Sequence, residues 1–174
     1  SHFTSAFALA LPEHLAEIET IANCCEAPSF DNTLAEFDRS GRLLERITLL
    51  FHNLTSSETS DALRAVQLEM APRLAAHENA IFMHAGLFAR VDALYQQRAS
   101  LELDADQLRL LERVHLDFVR AGALLRDQDR VRYGEIMGAL ASLCTQFSQN
   151  ILAEEAAYVL PLTSEADLAG LPAF

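Results

Sequence analysis

An all-α fold is predicted by three features of the sequence. Apolar residues recur at three- and four-residue steps through most of the chain, Gly (6) and Pro (5) are scarce, and aromatics make up only 7% of the 174 residues. The first is the pattern of amphipathic helices. The second leaves too few turn formers for an all-β protein. The third, with ten of the thirteen aromatics being Phe, points to an aliphatic core in which Phe fills gaps. At 51% hydrophobic residues the chain is too apolar for disorder. The expected architecture is an irregular bundle of about six to seven antiparallel helices. It forms a single helical domain over residues 1–174, a length sufficient for one sizeable core.

Taken in order, Leu11, Leu15, Ile18 and Ile21 place the first helix over residues 9–25. Pro28 ends it, because the residue before a proline avoids the α region. Ser29 or Asp31 can cap a second helix, whose Leu34, Phe37, Leu44, Ile47, Leu50, Phe51 and Leu54 keep a helical period to about Thr55. Gly41 lies inside that pattern at a cost of about 1 kcal/mol relative to Ala, which implies a packing reason. After a polar link, Ser60 or Asp61 opens a third helix through Leu63, Val66, Met70, Leu74, His77 and Ile81. Pro72 lies within it and lacks an N–H, so a kink or a break is expected there.

A fourth helix over residues 85–98 carries Leu87, Phe88, Val91, Leu94 and Tyr95. Asp104 caps a fifth, which runs to about Leu125 with Leu108, Leu111, Val114, Phe118 and Val119 inward. Asp127 and Asp129 put negative charge at the start of a long sixth helix, where the helix dipole favours it. That helix reaches about Tyr158, and Pro161 stops it. Ser164, followed by Glu165 and Asp167, reads as a capped acidic turn before Gly170 and Pro172. No signature residue recurs at a fixed step, which excludes a regular solenoid.

The formal charge is −12, with thirteen Arg and no Lys. Such a surface repels phosphate backbones and anionic lipid, which excludes nucleic-acid and membrane-surface partners. No apolar run reaches the roughly 20 residues of a membrane span, and the apolar start lacks the basic region of a signal peptide. A cytoplasmic protein is expected. Cys24, Cys25 and Cys144 are odd in number and two are adjacent, so they form no disulfide framework and are expected as reduced, mostly buried thiols.

The six histidines are the candidate metal ligands. His77-Glu78-Asn79-Ala80-Ile81 opens like a zinc-peptidase motif, but its fifth position is Ile81. The next histidine, His84, is seven residues on, about 10.5 Å along a helix axis. That is too far for two imidazoles to share an ion at about 2.0–2.1 Å. His52 suits a structural role near a helix end. His115 does not face Asp117 on a helix, and His2 and His14 have no partner visible in the sequence. Asp104/Asp106 and Asp127/Asp129 sit at helix starts, and Glu154/Glu155 on the last turns of a long helix, so none reads as an acid–base pair. No Gly-rich phosphate loop, Gly-x-Ser-x-Gly elbow or Cys-x-x-Cys occurs. From the residues alone, no catalytic residue, no metal ligand and no substrate-binding residue is assigned.

Several short segments occur in a fixed order: Pro28-Ser29-Phe30-Asp31-Asn32-Thr33, Ser40-Gly41, Phe51-His52-Asn53-Leu54-Thr55 and Pro72-Arg73-Leu74-Ala75-Ala76-His77. They continue with Leu87-Phe88-Ala89-Arg90, Leu111-Glu112-Arg113, Asp117 to Leu125, Gln146-Phe147-Ser148-Gln149-Asn150 and Asp167 to Pro172. Their order and spacing resemble the N-terminal helical region of the thimet-oligopeptidase, oligopeptidase A and peptidyl-dipeptidase family of zinc metallopeptidases. The resemblance implies a clamshell of two helical halves around a channel, with zinc as cofactor and short peptides as substrates. It makes the chain a fragment of a longer polypeptide, inert alone, lining one channel wall and partnered by the catalytic domain. The family's His-Glu-x-x-His occurs nowhere in the sequence, so no catalytic or metal residue is carried over. The alternative is a stand-alone helical interaction module without enzymatic activity.

Overall fold

The structure, a computed structural model, describes residues 2–164 and 169–170. The acidic turn expected at residues 165–167 and most of the segment from Asp167 to Pro172 lie outside them. Among the described residues there are seven α-helices, one short π-helix and no strand. In order these are α1 (His2–Ala22), the π-helix (Phe30–Ala35), α2 (Glu36–Arg39), α3 (Arg42–Ser57), α4 (Asp61–Phe82), α5 (Ala85–Gln97), α6 (Ala105–Arg120) and α7 (Asp127–Ala157). Six of the α-helices exceed ten residues, as the periodicity predicts. None is long and apolar enough to cross a membrane.

Helix α1 starts seven residues earlier than expected. Its first two turns contribute Phe7 and Ala10 to the core, and burial of that face outweighs Pro12 inside the helix. Ser29 rather than Asp31 caps the next element: its Oγ accepts from Asn32 N–H while Asn32 Oδ1 accepts from Ser29 N–H. The single helix expected from there to Thr55 is broken at Ser40-Gly41. Gly41 has φ +70°, and a Cβ there would sit 2.6 Å from the His14 ring, so the chain turns sharply against α1. Leu50, expected inward, is exposed, because the break resets the helical phase of α3.

Helix α4 opens on the Ser60 cap and runs through Pro72 without a break. Its far half is held by buried His77 and Ile81, and the half before Pro72 by Val66 and Met70. Helix α6 stops five residues short of the expected Leu125. Ala123 N–H donates to Phe118 O and Gly122 N–H to Val119 O, with Gly122 at φ +96°. This pairing of the last carbonyls is a Schellman turn, and it tucks Ala123 into the core.

Two apolar clusters fill the interior. One gathers Ile18, Ile21, Leu34, Ile81, Leu87, Val91, Leu94, Leu111 and Phe118, and the other Phe7, Leu11, Leu44, Phe51, Val66 and Met70. Helix α1 packs on α3, α4 and α5 and belongs to both clusters. Helix α7 packs chiefly on α4, turning Gly134, Met137, Gly138, Ala141, Ser142 and Thr145 toward it. Gln149 Nε2 adds a tie to Arg64 O and Gln67 Oε1. None of the described α7 side chains is buried.

Candidate functional site

Polar groups that bond across elements gather where the helices meet, and two assemblies stand out. The first joins α1, α4 and the α2–α3 corner. His77 is 8% exposed, and its Nε2 lies 3.0 Å from His14 Nδ1. His14 Nε2 is 3.2 Å from Ser40 Oγ, which donates to Phe37 O at 2.7 Å. Gly41 N–H donates to Glu17 at 2.6 Å. Burial, and then the neighbouring His14, push the His77 pKa down to about 4. Burial lowers that of His14 too, against an opposing pull from Glu17. Phe37, Leu44 and Phe82 line a cleft of about 240 Å³ beside the two rings.

The second assembly centres on Arg90, 7% exposed on α5. Its guanidinium donates to Cys24 O, Glu26 O and Asn32 Oδ1 at 2.8–3.0 Å, tying the loop after α1 to α5 and the π-helix. Asn32 Oδ1 also accepts from Ser29 N–H and from Thr33 Oγ1, while its amide donates to Ala27 O. A buried cation is thus held through its two terminal nitrogens by carbonyl dipoles rather than by a carboxylate, while its Nε is buried without a partner.

The remaining sequence candidates fall into local roles. His77 and His84 do not meet. His84 is the N-cap of α5, its Nδ1 accepting from Leu87 N–H and its Nε2 lying 3.1 Å from Glu19. That bond holds the Glu19 carboxyl below its ordinary range. His115 finds Asp92, at 3.0 Å, and stacks on Tyr95 with centroids 3.7 Å apart. His52 is exposed on α3, its ring beside that of Phe51, and His2 is exposed near the start of α1. Asp104 caps α6 in a reciprocal box with Gln107, and Asp129 pairs with Arg126 at the start of α7. Glu154 and Glu155 are exposed on the last turn of α7. The cysteines are free, but Cys25 and Cys144 are exposed and only Cys24 is half-buried. The expectation of mostly buried thiols is corrected by their places, in a loop and on the outer side of a helix packed on one face. Among the described residues no group of three or more His, Cys, Asp or Glu could hold a metal ion.

Two residues escaped the sequence reading: His14, whose partner lies 63 positions away, and Arg90, whose acceptors are mostly backbone carbonyls. The signal for Arg90 was its place in one of the ordered segments. Asn32, in another, is its neighbour in space.

No protein-family model matches the chain. Over 170 residues, 98% of its length, it is 41% identical to a dipeptidyl carboxypeptidase of Salmonella typhimurium and 37% identical to one of Escherichia coli. Over 171 residues it is 27% identical to an oligopeptidase A of Salmonella typhimurium. The chain is homologous to the dipeptidyl carboxypeptidases and oligopeptidases A. It spans about a quarter (25%) of the length of these peptidases, their N-terminal quarter. Several of the ordered segments of the sequence fall on the joints of the fold. Asn32 with Arg90, Ser40-Gly41 with His77, the Gly122 turn and Gln149 each tie one element to another.

Proposed function

We propose that this chain is the N-terminal helical region of a zinc-dependent peptidase that hydrolyses short peptides in the cytoplasm. In this reading it forms part of one wall of the substrate channel and performs no chemistry itself. The observation that carries it is the unbroken match of 98% of the chain to dipeptidyl carboxypeptidase over a quarter of that protein. Zinc and the general base that acts on its water come from the remaining chain. The outer face of α7 supports the same reading. Ile136, Leu140, Leu143, Phe147 and Ile151 recur there at helical spacing and are exposed. A continuous apolar stripe on the face opposite the α4 contact is the kind of surface that another part of a large protein covers.

The test is hydrolysis of a quenched fluorescent peptide by residues 1–174 alone and by the longer protein that contains them, each with and without a chelator. Turnover only by the longer protein, abolished by chelation and directed at short peptides rather than folded proteins, is the expected result. Chelator-sensitive turnover by residues 1–174, free of contaminating peptidase, overturns the proposal.

A further inference from the structure

The His77–His14–Ser40 assembly occupies a particular place in the molecule. On α1, Leu11 belongs to one apolar cluster and Ile18 to the other, and His14 lies between them. On α4, Met70 and Ile81 belong to different clusters, with His77 between. Ser40 likewise separates Phe37, packed against the first cluster, from Leu44 in the second. The three polar residues form the seam between two cores threaded by the same helices.

The hydrogens of the seam can be assigned one by one. Ser40 Oγ gives its single hydrogen to Phe37 O, so His14 Nε2 donates to Ser40 Oγ. Neutral His14 then has a bare Nδ1, which accepts from His77 Nε2–H. His77 is left with a bare Nδ1, and that atom is buried without a partner. Among the four ring nitrogens only His77 Nδ1 keeps a free lone pair, and the first added proton goes there.

We propose that this chain of bonds is an acid-operated hinge: neutral, it locks α1, α4 and the α2–α3 corner together, and protonated, it releases the two cores to move against each other. A proton on His77 Nδ1 finds no acceptor in the closed state. A second proton, on His14 Nδ1, removes the acceptor that His77 uses and sets two imidazolium ions in contact. Opening the seam to water relieves both. The acidic groups around the rings are Glu17 from α1, Asp38 from α2, Glu45 from α3 and Glu78 from α4. Glu17 is committed to Gly41 N–H, and all four are exposed, while the bonds of the two rings go to each other and to Ser40. The closed seam therefore has no carboxylate hydrogen-bonded to either ring, and Glu17 acts on His14 only through its charge.

The sign follows from linkage. In the open state the His77 ring titrates near its ordinary 6.5, and in the closed state it stays neutral to about 4. Between those values the open state binds more protons, so acid favours opening, by up to about tenfold per pH unit for one proton.

The experiment is ring ¹⁵N NMR combined with backbone hydrogen exchange across a pH series. At about pH 7 His77 should appear as the Nε2–H tautomer with a bare Nδ1. Amides in segments 13–17, 39–44 and 74–80 should exchange about tenfold faster for each pH unit lost below about 6.5, after correction for intrinsic rates. Amides of α5 and around Phe51 should keep their protection. His77→Gln keeps a donor toward His14, cannot titrate, and should flatten the response. Three results would each overturn the hinge: His77 titrating at its ordinary value, seam exchange that ignores pH, or an unchanged response in His77→Gln. If that variant does not fold, the titration and exchange of the unsubstituted protein decide alone. The outcome is independent of any peptidase activity.

Discussion

Gly41 shows at the scale of one residue what the ordered segments encode. Its positive φ and the 2.6 Å approach of the His14 ring leave no room for a side chain. Gly41→Ala should destabilise the fold by about 2 kcal/mol or more, read as a lowered urea midpoint with an unchanged slope. Arg90 is the second such position. Arg90→Lys keeps the charge but not the planar fork that reaches three acceptors, so a loss of about 2–3 kcal/mol is expected in the same measurement. The His77 pKa makes a third prediction. A ring held neutral to about 4 when folded, against 6.5 free, is charged preferentially in the unfolded chain. Stability should be flat above about pH 7 and fall progressively between 6.5 and 4, and His77→Gln should remove that part of the fall. The sequence shows Gly41 to be unusual but not why, because its reason is a ring 27 positions earlier.

At the scale of elements, the sequence is readable where local chemistry decides and misleading where tertiary packing does. Ser60, Asp104 and the six long helices follow from caps and periodicity. The failures share one cause: apolar periodicity continues across places where the backbone turns. Leu44 to Leu54 carry the rhythm of Leu34 and Phe37 across Gly41, and Leu124 and Leu125 carry that of α6 past Gly122. At Pro72 the helix does not break, since α4 is held on both sides of it. The candidate site was legible only as an absence of motifs, because every long-range polar tie joins residues far apart in sequence. Gly122→Ala should cost about 1 kcal/mol in thermal melts through the left-handed turn alone, because the nearest obstruction is the flexible end of Leu125.

For the whole molecule, α7 separates folding from association. Ile136, Leu140, Leu143, Phe147 and Ile151 are exposed, on the face away from α4. Replacing Leu143 and Phe147 together by Ser should change unfolding free energy by less than about 0.5 kcal/mol. It should also reduce concentration-dependent self-association in sedimentation velocity, and weaken docking to the rest of a longer chain. A large loss of stability instead would mean that the outer stripe belongs to this fold's own core. The long helix also has a mechanical meaning. Thirty-one residues make a rod of about 46 Å, clamped along one side to α4, with its last two turns overhanging. A tilt of α4 by about 10° would sweep the free tip through about 8 Å, by the rod length alone. A sub-ångström adjustment among buried rings can in this way become a displacement larger than a peptide bond.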